Sequence, residues 1–312
     1  MIPTPGELAG YTLERQHPLS RAWADDATRL QALAKQHEEV DILLATDRDI
    51  AAARVEKTAP GTPVESMLNY WVPVSDDLSA MLSMRFEGMD PTKPFVDASP
   101  LSRALRTEDL PALAAAATRY YAIHKPTYLR LWSAEPVGAF PGTGPDRRFL
   151  AAPIEQLQPR DVPPGLEVTP ARNVDHYDDA RRAYDAVDHA HPAHAVQAHL
   201  QDREDLEESA EAGLLFDVTV DGTWAGYVSA LADGEDTLGL PAYIVQEIIL
   251  TPEYRGRGLG AHLSTLMAQA LPDPSRILIG CIHANNTGAT RAATTAGRQD
   301  LGGWLQVPLT TT

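Results

Sequence analysis

Cysteine occurs once in this chain, as Cys281, which excludes an internal disulfide and a multi-cysteine metal site. It lies in an apolar run, RILIGC, so the thiol reads as a small buried hydrophobe rather than a nucleophile. Apolar runs of about 18 residues or more are missing, so no membrane-spanning helix is expected. The N-terminus also lacks a basic-then-apolar leader, and the expectation is a cytoplasmic protein that meets no membrane. Positive charge is scarce: 26 Lys and Arg stand against 43 Asp and Glu, for a net charge of −17. With no Lys/Arg cluster of useful length, a nucleic-acid backbone would be repelled, and nucleic acid is not an expected partner. The acidic balance suits a cationic small molecule, or simply solubility. What remains is 312 residues, 44% of them hydrophobic, which is enough for one or two domains with proper cores.

The phosphate loops most easily read from sequence are absent as well. Neither GxGxxG nor GxxxxGK followed by Ser or Thr occurs. A different arrangement is present over 243–271. The run YIVQEIIL reads as a strand, TPEYRGRGLG as a turn with Gly256, Gly258 and Gly260, and AHLSTLMAQAL as a helix stopped by Pro272. A glycine turn between a strand and a helix lets successive backbone N–H groups converge on one anion, and the helix dipole adds its positive end there. Arg255 and Arg257 belong to the same turn.

The pattern Arg255-x-x-Gly258-x-Gly260 after a strand ending Ile-Ile-Leu-Thr-Pro closely resembles the acyl-CoA-binding motif of the GNAT superfamily of N-acyltransferases. A second stretch is similar to that family's next motif, with Asn286, Ala289 and Gly297 in matching positions; the aromatic residue usual at one further place is Ala293 here. Upstream, 214–220 and 224–232 read as strands around an Asp221-Gly222 hairpin turn, preceded by helices over 175–187 and 193–208. Strands are also expected over 276–281 and from Trp304 on, and a short helix over 287–296. The resemblance covers about 166–309, half of the chain.

The resemblance implies an α+β fold: a mixed, mostly antiparallel central sheet flanked by helices. It implies acetyl-CoA as cosubstrate, held by Ile248, Ile249, Leu250, Arg255, Gly256, Arg257, Gly258, Leu259, Gly260 and Asn286. A free backbone N–H near Ile249 or Leu250 would polarise the thioester. Glu247, the one carboxylate on that strand, stands where the family often keeps the base that takes the amine proton; Gln246, on the opposite face by strand alternation, is the lesser candidate. A Glu within an apolar strand should have a raised pKa. At Ala293 the family commonly has a Tyr that protonates the departing sulfur; Tyr243, Tyr227 and Ser264 are the hydroxyls that could replace it. No metal is expected. His189, His191, His194 and His199 match no zinc spacing and read as loop histidines, acceptor-pocket contacts or ligands, in that order.

The N-terminal half repeats this order of elements in faded form. A helix is expected over 19–38, paired strands over 41–45 and 50–57, further strands over 69–74, 80–86 and 128–133, and a helix over 110–124. That last helix opens with Arg106-Thr-Glu-Asp-Leu-Pro111, acidic and without glycine, which cannot grip a pyrophosphate. The division expected is 1–157 as a degenerate GNAT-like or unrelated α/β domain, 158–165 as a proline-rich linker, and 166–312 as the transferase. Tandem copies are the favoured arrangement, with a monomer or homodimer acting on a small-molecule amine. The competing class is an acyl-CoA-binding or sensing protein with little turnover.

Overall fold

A computed structural model describes residues 1–157, 161–232 and 237–309. The chain forms two compact units: Met1–Asp146 with Thr237–Leu240 and Gly302–Thr312, and Arg147–Asp236 with Pro241–Leu301. They part at Asp146/Arg147, ahead of the stretch 158–165 in which the sequence suggests a linker; residues 158–160 of it lie outside the described residues.

The first unit opens with helices α1 (Pro5–Glu14), α2 (Asp26–His37), α3 (Leu43–Thr46) and α4 (Arg48–Thr58). Two expectations are corrected here. The segments 41–45 and 50–57 are helical, not paired strands: Asp47 accepts hydrogen bonds from the N–H groups of Asp49 and Ile50 and so caps α4. Ala51, Ala52, Ala53, Arg54, Glu56 and Lys57 then supply helix formers, and buried Ala51 and Val55 lie one turn apart. The helix expected over 19–38 is likewise shorter. Pro18–Ala22 is a separate tight turn, and α2 starts only where Asp25 caps it through the Thr28 N–H.

The sheet of this unit has the order β1 (Tyr70–Pro73), β2 (Ser79–Phe86), β3 (Pro94–Leu101), β4 (Tyr128–Ser133), then the last strand of the chain, Gln299–Pro308. All its pairs are antiparallel except β3 with β4, which run parallel over only Val96↔Leu129 and Asp97↔Arg130. β3 escapes sequence reading because Pro94, Asp97 and Pro100 interrupt its apolar pattern. Helix α5 (Leu110–Tyr121) crosses between β3 and β4 and buries Leu110, Leu113, Ala117 and Tyr121 along one stripe against the strands.

The second unit has the sheet order β5 (Gly144–Pro153), β10 (Ile277–His283), β9 (Ala242–Leu250), β8 (Thr223–Leu231), β7 (Leu215–Val220), β6 (Leu166–Pro170). One face carries α6 (Tyr177–Ala190) and α7 (Arg203–Glu211), packed on Leu215, Tyr227 and Ile249. The other carries α8 (Leu259–Ala270), packed on Phe216, Val228, Leu250 and Leu278, with α9 (Thr287–Ala296) beside it. The helix expected over 193–208 is corrected to a tight turn, Pro192–Val196, and the shorter α7, which begins only after Asp202 at its N-cap.

Both units repeat one plan. An antiparallel meander leads into a strand, a crossover helix and a parallel strand: β3, α5, β4 in one and β9, α8, β10 in the other. The parallel strand then takes an antiparallel neighbour from the other half of the chain, β11 (Gln299–Pro308) on β4 and β5 on β10. Among the described residues no helix is long and apolar enough to cross a membrane.

Candidate acyl-CoA site

β9 and β10 pair only over Ala242–Ile277, Tyr243–Leu278 and Ile244–Ile279. Beyond that rung β10 continues with β5 and β9 with β8, so the edge of 245–250 that faces β10 has no strand partner. A bulge deepens the split. β8 pairs Ser229 with Glu247 and Ala230 with Val245, leaving Gln246 as the extra residue. The bulge also corrects the expected placement of Gln246 on the face opposite Glu247. Gln246 Oε1 accepts from the hydroxyls of Ser209 in α7 and Ser229, while Glu247 reaches α6, so both serve the same helical layer.

Glu247 is 3% exposed. Tyr184 of α6 donates its hydroxyl to Oε1 at 2.7 Å, and Oε2 has no hydrogen-bond partner among the described residues. Burial is the main cause that pushes its pKa up to about 7; the Tyr184 bond, the nearby backbone N–H groups of Gln201 and Ile248 and the charge of Arg255 oppose it. A carboxylate poised there can take or hold a proton at neutral pH. The Tyr184 ring lies 5.8 Å from that of His194, whose Nδ1 is 2.7 Å from Asp188 Oδ1. His189, His191 and His199 are exposed. Among the described residues no group of three or more His, Cys, Asp or Glu is placed to hold a metal ion.

The glycine turn follows β9. Gly256 and Gly258 have φ of 71° and 77°, the left-handed region where a side chain is strained, and Gly258 is the N-cap of α8. No side chain caps α8, its first turn carries no acidic residue, and the space where Cβ atoms of Gly256 and Gly258 would lie is open to 4 Å. Its N-terminal N–H groups therefore face open space with the dipole behind them. Leu259 and Gly260 form the first turn, and Gly260 lets α9 close in, since a Cβ there would press on Ala292 at 3.1 Å. Arg257 is exposed and lies over the Tyr254 ring at 5.3 Å. The Arg255 side chain turns inward instead: Nε donates to Leu250 O at 2.6 Å and Nη2 to Ala183 O at 3.0 Å, which ties the turn to β9 and α6. Asn286 caps α9, accepting from the Ala289 N–H. The corresponding start of α5 in the first unit is closed, because Asp109 accepts from the Arg106 N–H and is gripped by both Nη atoms of Arg103.

Ala293 is fully buried in α9. Of the hydroxyls that could stand in for a phenol, Tyr227 accepts from the His176 N–H, Tyr243 lies under Arg276 at 4.4 Å, and Ser264 accepts from Arg298 Nη2 at 3.2 Å. Tyr184 and Arg298 escape sequence reasoning. The only signal for Tyr184 is its position two turns after Tyr177 on the apolar stripe of α6, and an Arg just after a helix-stop glycine carries none.

Residues 174–297 match the model of the Acetyltransferase (GNAT) family. They form a GNAT domain. An acetyltransferase of that family from Colwellia psychrerythraea superposes with a TM-score of 0.50 at 11% identity, over 84% of this chain and 95% of its own. A GCN5-related N-acetyltransferase from Sphaerobacter thermophilus gives 0.48 at 14%, over 87% and 92%. A tandem GNAT protein from the clavulanic acid biosynthesis pathway gives 0.44 at 14%, over 86% and 98%. At such identities the likeness is one of fold. The Colwellia match runs beyond the GNAT domain into the N-terminal half, in keeping with the plan that both units repeat. Comparison with curated proteins finds no significant match.

Proposed function

We propose that the second unit transfers an acyl group, acetyl in the simplest case, from its CoA thioester directly to the amine of a small molecule. One observation carries this reading: an uncapped, open glycine turn at the N-terminus of α8 continues from a strand whose facing edge is free. The amides of Gly256–Gly260 suit a diphosphate, and the free edge of 245–250 suits the pantetheine arm and thioester, with an N–H near Ile249 or Leu250 polarising the carbonyl. Glu247 would take the proton as the amine nitrogen bonds to the thioester carbon and the carbon–sulfur bond breaks, with no covalent enzyme intermediate. The sulfur leaves as thiolate, tolerable because thiols ionise near pH 8.5. An acidic surface favours cationic amines as acceptors. We place the protein in the cytoplasm as a monomer or homodimer.

A second reading is favoured by Ala293, which cannot supply a proton: a protein that binds acyl-CoA without turning it over. Release of CoA thiol from acetyl-CoA across a panel of small amines separates the two. Amine-dependent release supports transfer, whereas tight CoA binding with no release supports sensing.

A further inference from the structure

Arg298 is a buried cation with no counter-ion among the described residues. It follows Gly297 at the end of α9 and is 4% exposed. Its Nη2 donates to the Ser264 hydroxyl at 3.2 Å, while Nε and Nη1 have no partner there. Burial is the one cause that lowers its pKa, to about 10, so it stays charged at neutral pH with no carboxylate beside it. An interior charge of this kind is costly unless a negative charge arrives to offset it.

Its place in the fold says which negative charge that is. A Cβ on Gly280 would collide with Nη1, so the guanidinium lies against β10. Leu278, two residues earlier on the same face, packs with α8, and Ser264 belongs to α8 itself. The cation is therefore on the α8 side of the sheet, the side on which the glycine turn opens. Ser264 follows Gly258, the N-cap of α8, by six residues, which is about 9 Å of helix. A phosphate bonded to the first amides stands about 3 Å farther out. Guanidinium and phosphate are thus about 12 Å apart, with the packed start of α8 between them.

At an effective dielectric constant of about 20, a unit charge at that distance gains about tenfold in affinity. A diphosphate carries about two such charges, but water and salt on its outer side give back part of the gain, and about tenfold overall is expected. The arginines of the turn itself leave this role open. Arg257 is exposed over the Tyr254 ring, where solvent screens it, and Arg255 is engaged by the Leu250 and Ala183 carbonyls. The chain as a whole, with a net charge of −17, repels a polyanion.

We propose that Arg298 is the interior counter-charge of the donor's diphosphate: without touching the ligand, it raises the affinity of the glycine turn for phosphate from beneath α8. The proposal rests on the acyl-CoA reading above. The coupling is reciprocal, so the bound diphosphate also offsets the cost of the buried cation.

Titration calorimetry of the full chain with CoA, at about pH 6.5 so that a buried Lys stays charged, tests it. Arg298→Met should bind CoA about tenfold more weakly than the wild type. Arg298→Lys, which restores a charge at the same depth, should stay within about threefold. A loss that Arg298→Lys shares in full marks the side chain as a structural prop and overturns the proposal. So does Arg298→Met binding CoA as tightly as the wild type; both outcomes leave the acyl-CoA reading standing. Failure of the wild type to bind CoA overturns both. Should Arg298→Met not fold, Arg298→Gln, neutral yet able to bond Ser264, takes its place with the same expected loss.

Discussion

Replacing Glu247 by Gln tests whether the carboxylate is held as a base by burial. Its pKa stands at about 7 against an ordinary 4.5, with desolvation the main cause. The native state therefore binds this proton more tightly than the unfolded chain. Wild-type stability should fall as pH rises from about 4.5 to about 7 and lose nothing further above that. The full loss is about 3 kcal/mol, of which about 2 to 3 falls between pH 5 and pH 8. Glutamine does not titrate, but its amide would point at the position of Oε2, where no partner waits. That costs about 1–3 kcal/mol at every pH. The informative quantity is thus the change in the mutant-minus-wild-type difference between pH 5 and pH 8, from which the constant cost cancels. Urea unfolding at each pH should show Glu247→Gln gaining about 2 to 3 kcal/mol on the wild type across that range. In turnover, kcat/KM of the wild type should fall about tenfold per pH unit below 7, and the variant should lose this limb with about 10²–10⁴ of its rate. A stability difference that does not move with pH would refute the argument, because the carboxylate would then not be carrying a desolvated charge.

Tyr184→Phe removes the hydroxyl that holds the Glu247 pKa down, so the limb of the pH–rate profile should move to higher pH; a shift to lower pH, or none, contradicts the assigned hydrogen bond. Arg255→Ala should cost about 2–3 kcal/mol in stability, since two carbonyls, Leu250 O and Ala183 O, lose a charged donor, and CoA affinity should fall with it as the turn loosens. Thermal unfolding and calorimetry report the two effects. Calorimetry should also count one CoA per chain, with Gly258→Glu abolishing it, because α8 opens on a glycine turn whereas the matching start of α5 carries the Asp109 carboxylate.

The second unit was legible where local chemistry and tertiary structure agree. The turn at Gly256–Gly260, the hairpin at Asp221-Gly222 and the helix Thr287–Ala296 are each set by residues that fix their own backbone. Glu247 could be singled out because a lone carboxylate in an apolar strand has few explanations. What sequence could not yield depends on register. The bulge at Gln246 turns two consecutive side chains toward one layer, against strand alternation, and nothing in the string YIVQEIIL announces it. Tyr184 and Arg298 matter only through partners 63 and 34 positions away. In the first unit 41–57 differs from the expected paired strands for another reason: an Asp between two apolar runs suits a hairpin turn and a helix cap equally well, and Asp47 serves as the cap.

The two crossover helices show why repeating a fold need not repeat a function. α5 and α8 occupy the same place in the plan, between two parallel strands, and both start with unsatisfied N–H groups and a positive dipole end. In α8 those groups are left to open space by glycines that carry no side chain to fill it. At the start of α5 a carboxylate of the chain itself, Asp109, takes the Arg106 N–H and is locked by Arg103, whose Nε and Nη2 also donate to Asp77. An arriving diphosphate would have to displace an anion already bonded and would meet negative charge before it met an amide. Stability and ligand binding are alternative uses of the same dipole, and each unit has taken one of them. Placing glycine at Asp109 alone would therefore not create a second site: it would free Arg103 and the Arg106 N–H, yet leave Pro111 and the side chains of Thr107 and Glu108 where α8 has its open glycine turn.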